Sequence, residues 1–283
     1  MGISDPKAFV AYSSPAGTTR HVAQVIESTL KDLGYKYGVT DLGKRDDRLN
    51  LNSKMKDLVT DYCLWIGTPV YAGHALPPVM SFISELPEGK GSYAVPFVTW
   101  GGVTCGIALY EMGKLLNEKG YTVLGAAKIL AVHSMMWQFK CPLGEGHPDA
   151  EEDSMIKGLV GEIDAKLLSD SIKPLSIEDL NYQPKEVQES MQHMSIEAAK
   201  QMLPRKKLDA KACNQCGDCE EICPAQAIRC NPYPHFGHEC FLCYNCVRLC
   251  KVEAIKSDLS QMEGSLRGMS EKYAERPLSQ VFV

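Results

Sequence analysis

The sequence predicts an α/β chain: a doubly wound five-stranded parallel sheet, followed by a small α+β module organised by cysteines. Three observations lead there. From about residue 7 to 169, short apolar runs alternate with amphipathic helical patterns, as parallel strands joined by crossover helices do. Eight of the twelve cysteines fall in two copies of one spacing between positions 213 and 250. Between these regions, Pro174 and Pro184 punctuate a stretch with neither pattern. The expected division is a first domain over 1–169, a connector over 170–204, a cysteine module over 205–256 and a tail over 257–283.

Residues 8–12 (AFVAY) read as the first buried strand. After them Val22, Val25, Ile26, Leu30 and Leu33 fall on one face of a helix. Residues 37–42 supply another strand. Residues 62–67 (YCLWIG), 93–100 (YAVPFVTW) and 121–130 supply three more. Helices are expected over 77–86 and over 108–119, the second closed by Gly120 as its C-cap. A last helix starts at Asp149, with Glu152 placed as in a capping box, and offers Met155, Ile156, Leu159, Val160 and Ile163 to a core. In the connector one helix is expected between Pro184 and Pro204, with Val187, Met191, Met194, Ala198 and Met202 on a single stripe. A methionine stripe can be an adaptable binding face; packing on its own domain is the expectation here. The tail after Ser257 is polar, shows no chemical motif, and has the length to wrap back over one domain.

The cysteine spacing is the most specific signal. Cys213, Cys216, Cys219 and Cys223, followed by Pro224, form one C-x2-C-x2-C-x3-C run; Cys240, Cys243, Cys246 and Cys250 form the second. Each run lets a tight loop aim three thiolates at one iron–sulfur cube while the fourth serves the other cube. The expected sets are Cys213, Cys216, Cys219 with Cys250, and Cys240, Cys243, Cys246 with Cys223. Both copies end in Ala-Ile at the same distance from their last cysteine, as in an internal duplication. Two zinc sites are an alternative, but zinc knuckles usually pair C-x2-C clips across a longer spacer. A disulfide framework needs an oxidising compartment. Cys141 and Cys230 have no partner at ligand spacing, and Cys63 and Cys105 read as small core thiols.

Composition narrows the function. Hydrophobic residues make up 45% and charged residues 23%, as in an ordinary globular chain, and a net charge of −5 argues against a nucleic-acid binder. No apolar run approaches bilayer length, so membrane insertion is not expected. The start, MGISDPKAFVAY, lacks a leader layout, and Gly2 with Ser4 and Asp5 fits a myristoylation signal poorly. A cytoplasmic location in a reducing, anaerobic cell is the expectation.

Ligands of open parallel sheets bind beyond the carboxyl ends of the strands. Three such loops are distinctive. Ser13, Ser14, Pro15, Ala16, Gly17, Thr18 and Thr19 combine hydroxyls, a glycine and a helix start, which suits a phosphate. The loop has no lysine and no Walker pattern, so the phosphate would be an anchor rather than a transferred group. Thr68, Pro69, Val70, Tyr71, Ala72, Gly73 and His74 form the second loop. Thr99, Trp100, Gly101, Gly102, Val103, Thr104, Cys105 and Gly106 form the third. Each mixes an aromatic with glycines, which let backbone approach a flat ring. In this order the three loops suit flavin mononucleotide.

The segment from Ser14 to Thr19 resembles the flavodoxin phosphate fingerprint, and Gly67-Thr68-Pro69-Val70-Tyr71 resembles the loop that cradles the ring in flavodoxin-like proteins. Residues 205–256 look like a bacterial two-cluster ferredoxin. The combination is similar to the flavodoxin–ferredoxin fusion proteins of anaerobic bacteria and archaea. It implies a flavodoxin-like doubly wound five-stranded parallel sheet plus a small α+β two-[4Fe-4S] ferredoxin module, with FMN and two [4Fe-4S] clusters as cofactors. Segments near Val132-His133-Ser134 and from Gly146 to Asp149 also have counterparts in that group. Two departures matter. Ala16 replaces a usual threonine, removing one hydroxyl donor, and Lys251 replaces the proline after the last cysteine of the second copy. A lysine there is expected to favour the reduced cluster and raise its potential.

Among single residues, Tyr71 and Trp100 are expected over the flavin, while His74 and His133 are candidates for a substrate or flavin contact with a structural role as the alternative. The run Arg205-Lys206-Lys207 reads as a solvated charged face. The leading functional expectation is an electron carrier that links one- and two-electron chemistry and exchanges electrons with redox partner proteins. The alternative is an FMN-dependent reductase of a small acceptor such as a quinone, with His133, Ser134 and residues 135–137 lining its pocket. A redox sensor is a third reading. No acid–base pair is required, no dinucleotide fingerprint stands in a convincing context, and the resemblance leaves room for a homodimer.

Overall fold

The computed structural model describes residues 7–58 and 61–283; the reading of the chain start, including Gly2, lies outside them. The first domain runs β1 (Lys7–Tyr12), α1 (Thr18–Asp32), β2 (Lys36–Asp41), α2 (Arg45–Lys56), β3 (Cys63–Tyr71), β4 (His74–Ala75), α3 (Pro77–Glu85), β5 (Tyr93–Trp100), α4 (Ala108–Glu118), β6 (Thr122–Val123), β7 (Ala126–Leu130) and α5 (Ala150–Leu168). Strands β2-β1-β3-β5-β7 lie side by side and parallel, the flavodoxin-like doubly wound order.

Strand alternation sends neighbouring residues to opposite faces. Leu64 and Ile66 meet Val79, Phe82, Leu109 and Met112 of α3 and α4. Trp65 between them meets Val22 and Ile26 of α1 and Ile156 and Val160 of α5. Both faces are covered, which is why the strands read as continuous apolar runs. The capping box at the start of α5 is formed: the Asp149 carboxylate accepts from the backbone N–H of Glu151 and Glu152, and Glu152 accepts from that of Asp149.

Three elements differ from expectation. Helix α2 carries little apolar periodicity and was not foreseen. The strand expected over 121–130 is interrupted between β6 and β7. A side chain at Gly125 there would fall 2.9 Å from the Phe282 carbonyl oxygen, so the glycine lets the tail approach. The connector contains a 3-10 turn (Ile177–Leu180) and two helices rather than one, α6 (Lys185–His193) and α7 (Ile196–Met202). The break falls at Ser195, whose hydroxyl caps α7 by accepting from the Ala198 N–H at 3.0 Å.

The cysteine module holds β8 (Lys207–Leu208), α8 (Asp218–Glu221), β9 (Ile228–Cys230), β10 (Pro234–Phe236), α9 (Asn245–Arg248) and β11 (Ile255–Lys256). Two antiparallel pairs result, β8 with β11 and β9 with β10. The backbone repeats as the sequence does. Left-handed residues recur as Gln215 and Leu242, Gly217 and Tyr244, and Gln226 and Glu253, with the same offset that separates Cys213 from Cys240.

The tail is not a loose polar end. It forms α10 (Met262–Tyr273) and β12 (Gln280–Phe282), and β12 adds antiparallel to β7 as an outer strand of the first domain's sheet. Glu275 fixes it. One carboxylate oxygen accepts from the Lys128 ammonium at 2.8 Å and the Tyr182 hydroxyl at 3.1 Å. The other accepts from the Cys105 N–H and Gln183 amide, both at 2.8 Å, and from the Thr104 hydroxyl at 3.0 Å. Lys128 is 0% exposed and Glu275 8% exposed. Burial pushes the Glu275 carboxyl up, but Lys128 and the amide donors outweigh it and hold the group below its ordinary value. Glu275→Ala leaves the lysine buried and unpaired, and should cost about 3–5 kcal/mol in urea unfolding. Because the carboxyl is depressed in the folded state, its contribution is present above the ordinary value of 4.5 and is lost as pH falls through the lower folded value. Glu275→Gln should remove that acid-side dependence; an unchanged pH profile would contradict the assignment.

Candidate functional site

The phosphate-type loop sits where the doubly wound sheet puts it, between β1 and α1. Gly17 takes a left-handed φ of 94° at the helix start, with no side-chain cap and no acidic residue in the first turn. The helix N-terminus is therefore open to an anion. The Ser13 hydroxyl is buried with no hydrogen-bond partner among the described residues, as a site for a missing polar ligand would leave it. Ser14 Oγ is engaged by the Arg20 N–H at 2.9 Å. Thr19 and Thr99 hold each other at 2.7 Å between their hydroxyls, so their loops are tied together. Thr68 Oγ donates to the Pro69 carbonyl and accepts from the Leu76 N–H, bracing the second loop.

These loops border a cavity of about 340 Å³. Ala16, Thr18, Pro69, Val70, Tyr71, Gly73, Thr99, Trp100 and Gly101 line it; Ser13, Ser14, Gly17, Thr19, Thr68 and Gly102 lie behind or beside it. Two glycines are needed for close approach. A side chain at Gly73 would fall 2.1 Å from Met191 Sδ, and one at Gly101 would fall 2.6 Å from the His133 ring. Tyr71 is half-buried, and its hydroxyl, which is shielded from solvent, has no partner within hydrogen-bond geometry among the described residues. Trp100 is committed to the core: its indole N–H donates to the Leu278 carbonyl at 2.8 Å, and Lys128 lies 5.7 Å from its ring centre.

The far wall comes from outside the first domain. Met191 and Met194 of the α6 end, Met202 of α7, Met262 and Met269 of α10, and Phe241 and Leu242 of the cysteine module close it. Met191, Met194 and Met202 of the stripe thus border the cavity, while Met191 is at the same time buried against Gly73 of the first domain. The stripe was visible in the connector. In the tail the Met262, Leu266, Met269 spacing carried the same helical signal and was not read. No Arg, Lys, Asp or Glu lines this cavity among the described residues.

His74 is structural. Its Nδ1 lies 2.9 Å from Glu111, and its Nε2 donates to the Met191 and Met194 carbonyls at 3.0 and 2.6 Å. The Glu111 carboxylate raises its pKa above the ordinary 6.5, with burial opposing. His133 and Ser134 do line the cavity, as does Met135, while Trp137 stands behind the lining, in the apolar cluster that includes Met135, Tyr244 and Leu266. Burial pushes the His133 pKa down to about 4, so its ring is neutral near pH 7. Its Nδ1 accepts from the Met135 N–H at 3.3 Å, which leaves the proton on Nε2.

In the cysteine module, Cys213, Cys216, Cys219 and Cys250 share one small cavity, together with Cys230 and Cys246. Cys230, set aside in the sequence, lies 3.8 Å from Cys219 between sulfurs. In the second set, burial first, and then the Cys246, Cys223 and Cys240 sulfurs, push the Cys243 thiol up to about 12. Gathered thiolates repel one another, so a set of this kind is held ionised by a bound cation. Ala227 N–H donates to Cys223 Sγ and Ala254 N–H to Cys250 Sγ, both at 3.3 Å. These donor sets fit iron–sulfur ligation. Lys251 is 84% exposed and paired with Asp218 at 3.1 Å, so its charge is screened rather than concentrated on a sulfur, contrary to the sequence expectation.

The two parts meet at the ring loop. Tyr71 and Phe241 pack edge to face with ring centres 5.8 Å apart. Arg248 donates to the Pro15 carbonyl in the phosphate-type loop at 2.7 Å. The second cysteine set is therefore the one beside the cavity, while Cys216 of the first set is exposed.

A family model described as a 4Fe-4S binding domain matches residues 206–229, which covers the first cysteine copy. No curated protein matches the chain. Among solved structures, rubredoxin oxygen:oxidoreductase from the anaerobe Desulfovibrio gigas aligns at 15% identity and TM-score 0.45 over 58% of this chain and 37% of that one. The chain thus spans little over a third of that protein. A flavodoxin from the domain Archaea aligns at 20% identity and TM-score 0.41 over 57% and 98% of the two chains. An NADH:FMN oxidoreductase in its apo form aligns at 17% identity and TM-score 0.43 over 58% and 91%. No helix among the described residues is long and apolar enough to cross a membrane.

The His74 contacts give a testable pH dependence. Its pKa is raised in the folded state, so its stabilisation is full below about 6.5 and is lost as pH rises through the higher folded value. Proteolysis within residues 185–202 should accelerate over that range in the wild type and be fast at every pH in His74→Ala. A pH-independent cleavage rate in the wild type would contradict this.

The strand order is that of a doubly wound parallel sheet of flavodoxin-like topology, and this sheet is joined to a segment that matches a 4Fe-4S binding domain.

Proposed function

We propose that the chain is an electron-transfer protein that passes electrons between two [4Fe-4S] clusters and FMN, exchanging them with a partner protein at the exposed side of the first cysteine set. The observation that carries the reading is the direct packing of the ring loop on the second cysteine loop through Tyr71 and Phe241. FMN takes up one or two electrons and each cluster one, so such a chain links pair and single-electron carriers. Gly17, the open start of α1 and the Ser13 hydroxyl would hold the phosphate. Backbone at Pro69–Gly73 and Thr99–Gly101 would hold the ring. Cys213, Cys216, Cys219 and Cys250 would bind one cluster, and Cys223, Cys240, Cys243 and Cys246 the other. Phe241 and the methionines of α6 and α10 exclude water from the cavity.

A second reading, reduction of a small neutral acceptor such as a quinone, has its own support. The cavity wall carries no charged side chain, and the neutral His133 keeps an N–H on Nε2.

Protein purified without oxygen should contain eight irons and one FMN per chain and show two paramagnetic centres on reduction. Zinc in place of iron would overturn the proposal. Cys243→Ser should remove the centre beside the cavity and slow electron passage to the flavin at least tenfold, while Phe241→Ala should slow it less and keep the iron. Turnover of a water-soluble quinone at more than one per second would favour the second reading; reduction of protein carriers alone would favour the first.

A further inference from the structure

We propose that the Lys206 ammonium makes the second cysteine set the higher-potential of the two electron sites, so that electrons gather beside the flavin loops. The inference rests on the two-cluster reading above and concerns how its two halves differ.

The module is a near-duplicate, and its symmetry defines what is exceptional. Both copies place left-handed residues at equivalent positions in the cysteine loops. Both give their last cysteine sulfur one backbone N–H bond of the same length, 3.3 Å. Hydrogen bonds to sulfur and local charge set the potential of such a centre; beyond the matched pair, the second set also receives the Leu242 N–H on Cys240 Sγ at 3.4 Å, which acts in the same direction as a nearby cation.

Charge is unequal. Lys206 Nζ lies 2.7 Å from Cys240 Sγ. The ammonium also lies over the Phe236 ring, 4.7 Å from its centre. The sulfurs of Cys243 and Cys246 are its further electrostatic neighbours. No carboxylate pairs with it among the described residues, so its charge falls on the sulfur cage. The offset between the copies maps Lys206 onto Tyr233, which carries no charge near pH 7. Lys251, beside the last cysteine of the first set, is exposed and paired with Asp218. A half-buried, unpaired cation beside sulfur favours the more negative, reduced state, and does so more strongly than an exposed, paired one.

The consequence is directional. The first set, with exposed Cys216, is the side a partner can reach, and the second lies against Tyr71 and the cavity. A higher potential at the second set draws a single electron inward and holds it next to the flavin site.

The test is an EPR-monitored redox titration of the anaerobically reconstituted full chain, with iron counted in every sample. Cys243→Ser identifies which centre is the second. In Lys206→Met the potential of that centre should fall while the other stays, Lys206→Arg should retain the wild-type value, and Lys251→Met should leave both in place. Full iron content with neither potential moved in Lys206→Met would overturn the proposal, as would an equal fall in both. Loss of four irons in both Lys206→Met and Lys206→Gln would also overturn it, by making the lysine a prop of the cage. A wild-type chain with fewer than two centres would instead refute the two-cluster reading itself.

Discussion

The arrangement depends on one buried ion pair. Lys128 stands in the middle of β7, where a parallel strand has no water to offer an ammonium. An isolated charge there would be very costly, so the strand needs an anion brought to it. That anion is Glu275, supplied by the far end of the chain. Its two oxygens are filled by five donors drawn from β7, the loop after β5 and the connector. The pair therefore ties together the three segments that must converge for the cavity to exist. With Glu275 in place, α10 lies across the loops, β12 adds to the sheet, and the Trp100 indole finds the Leu278 carbonyl.

The cavity follows from this closure. The sheet supplies its floor, through loops at the carboxyl ends of β1, β3, β5 and β7. The walls are methionines from the connector and the tail, with Phe241 from the cysteine module. Methionine suits a surface that must seal against a flat ring and yield when a ligand passes. Because Phe241 sits within a cysteine loop, the same packing that closes the cavity brings the second cysteine set to it. Closure of the cavity and the approach of the second cysteine set to it thus rest on one contact between two units.

Legibility in the sequence followed the range of the interaction. The strands were visible because both sheet faces are covered, which leaves unbroken apolar runs. The capping box at Asp149 and Glu152 and the doubled cysteine spacing were visible because their partners are close in sequence. Helix α2 was not, since RDDRLNLNSKMK buries little and so has little periodicity. The connector break was marked by Ser195, a good N-cap, but the continuous methionine stripe hid it. Glu275 and Lys128 could not be paired by inspection, being far apart in the chain. Lys206 sat in what reads as a solvated charge run, and only the fold turns its side chain toward Cys240. His74, a candidate ligand contact by its position in a loop, proved to bind the connector's carbonyls instead.

The central claim is that one cysteine set abuts the flavin site and the other faces outward. Diffraction from crystals of the anaerobically loaded protein, measured at the iron absorption edge, tests it most directly. The account predicts two anomalous peaks, the one nearer the bound flavin enclosed by Cys223, Cys240, Cys243 and Cys246. A single peak, or a nearer peak enclosed by Cys213, Cys216, Cys219 and Cys250, would contradict it.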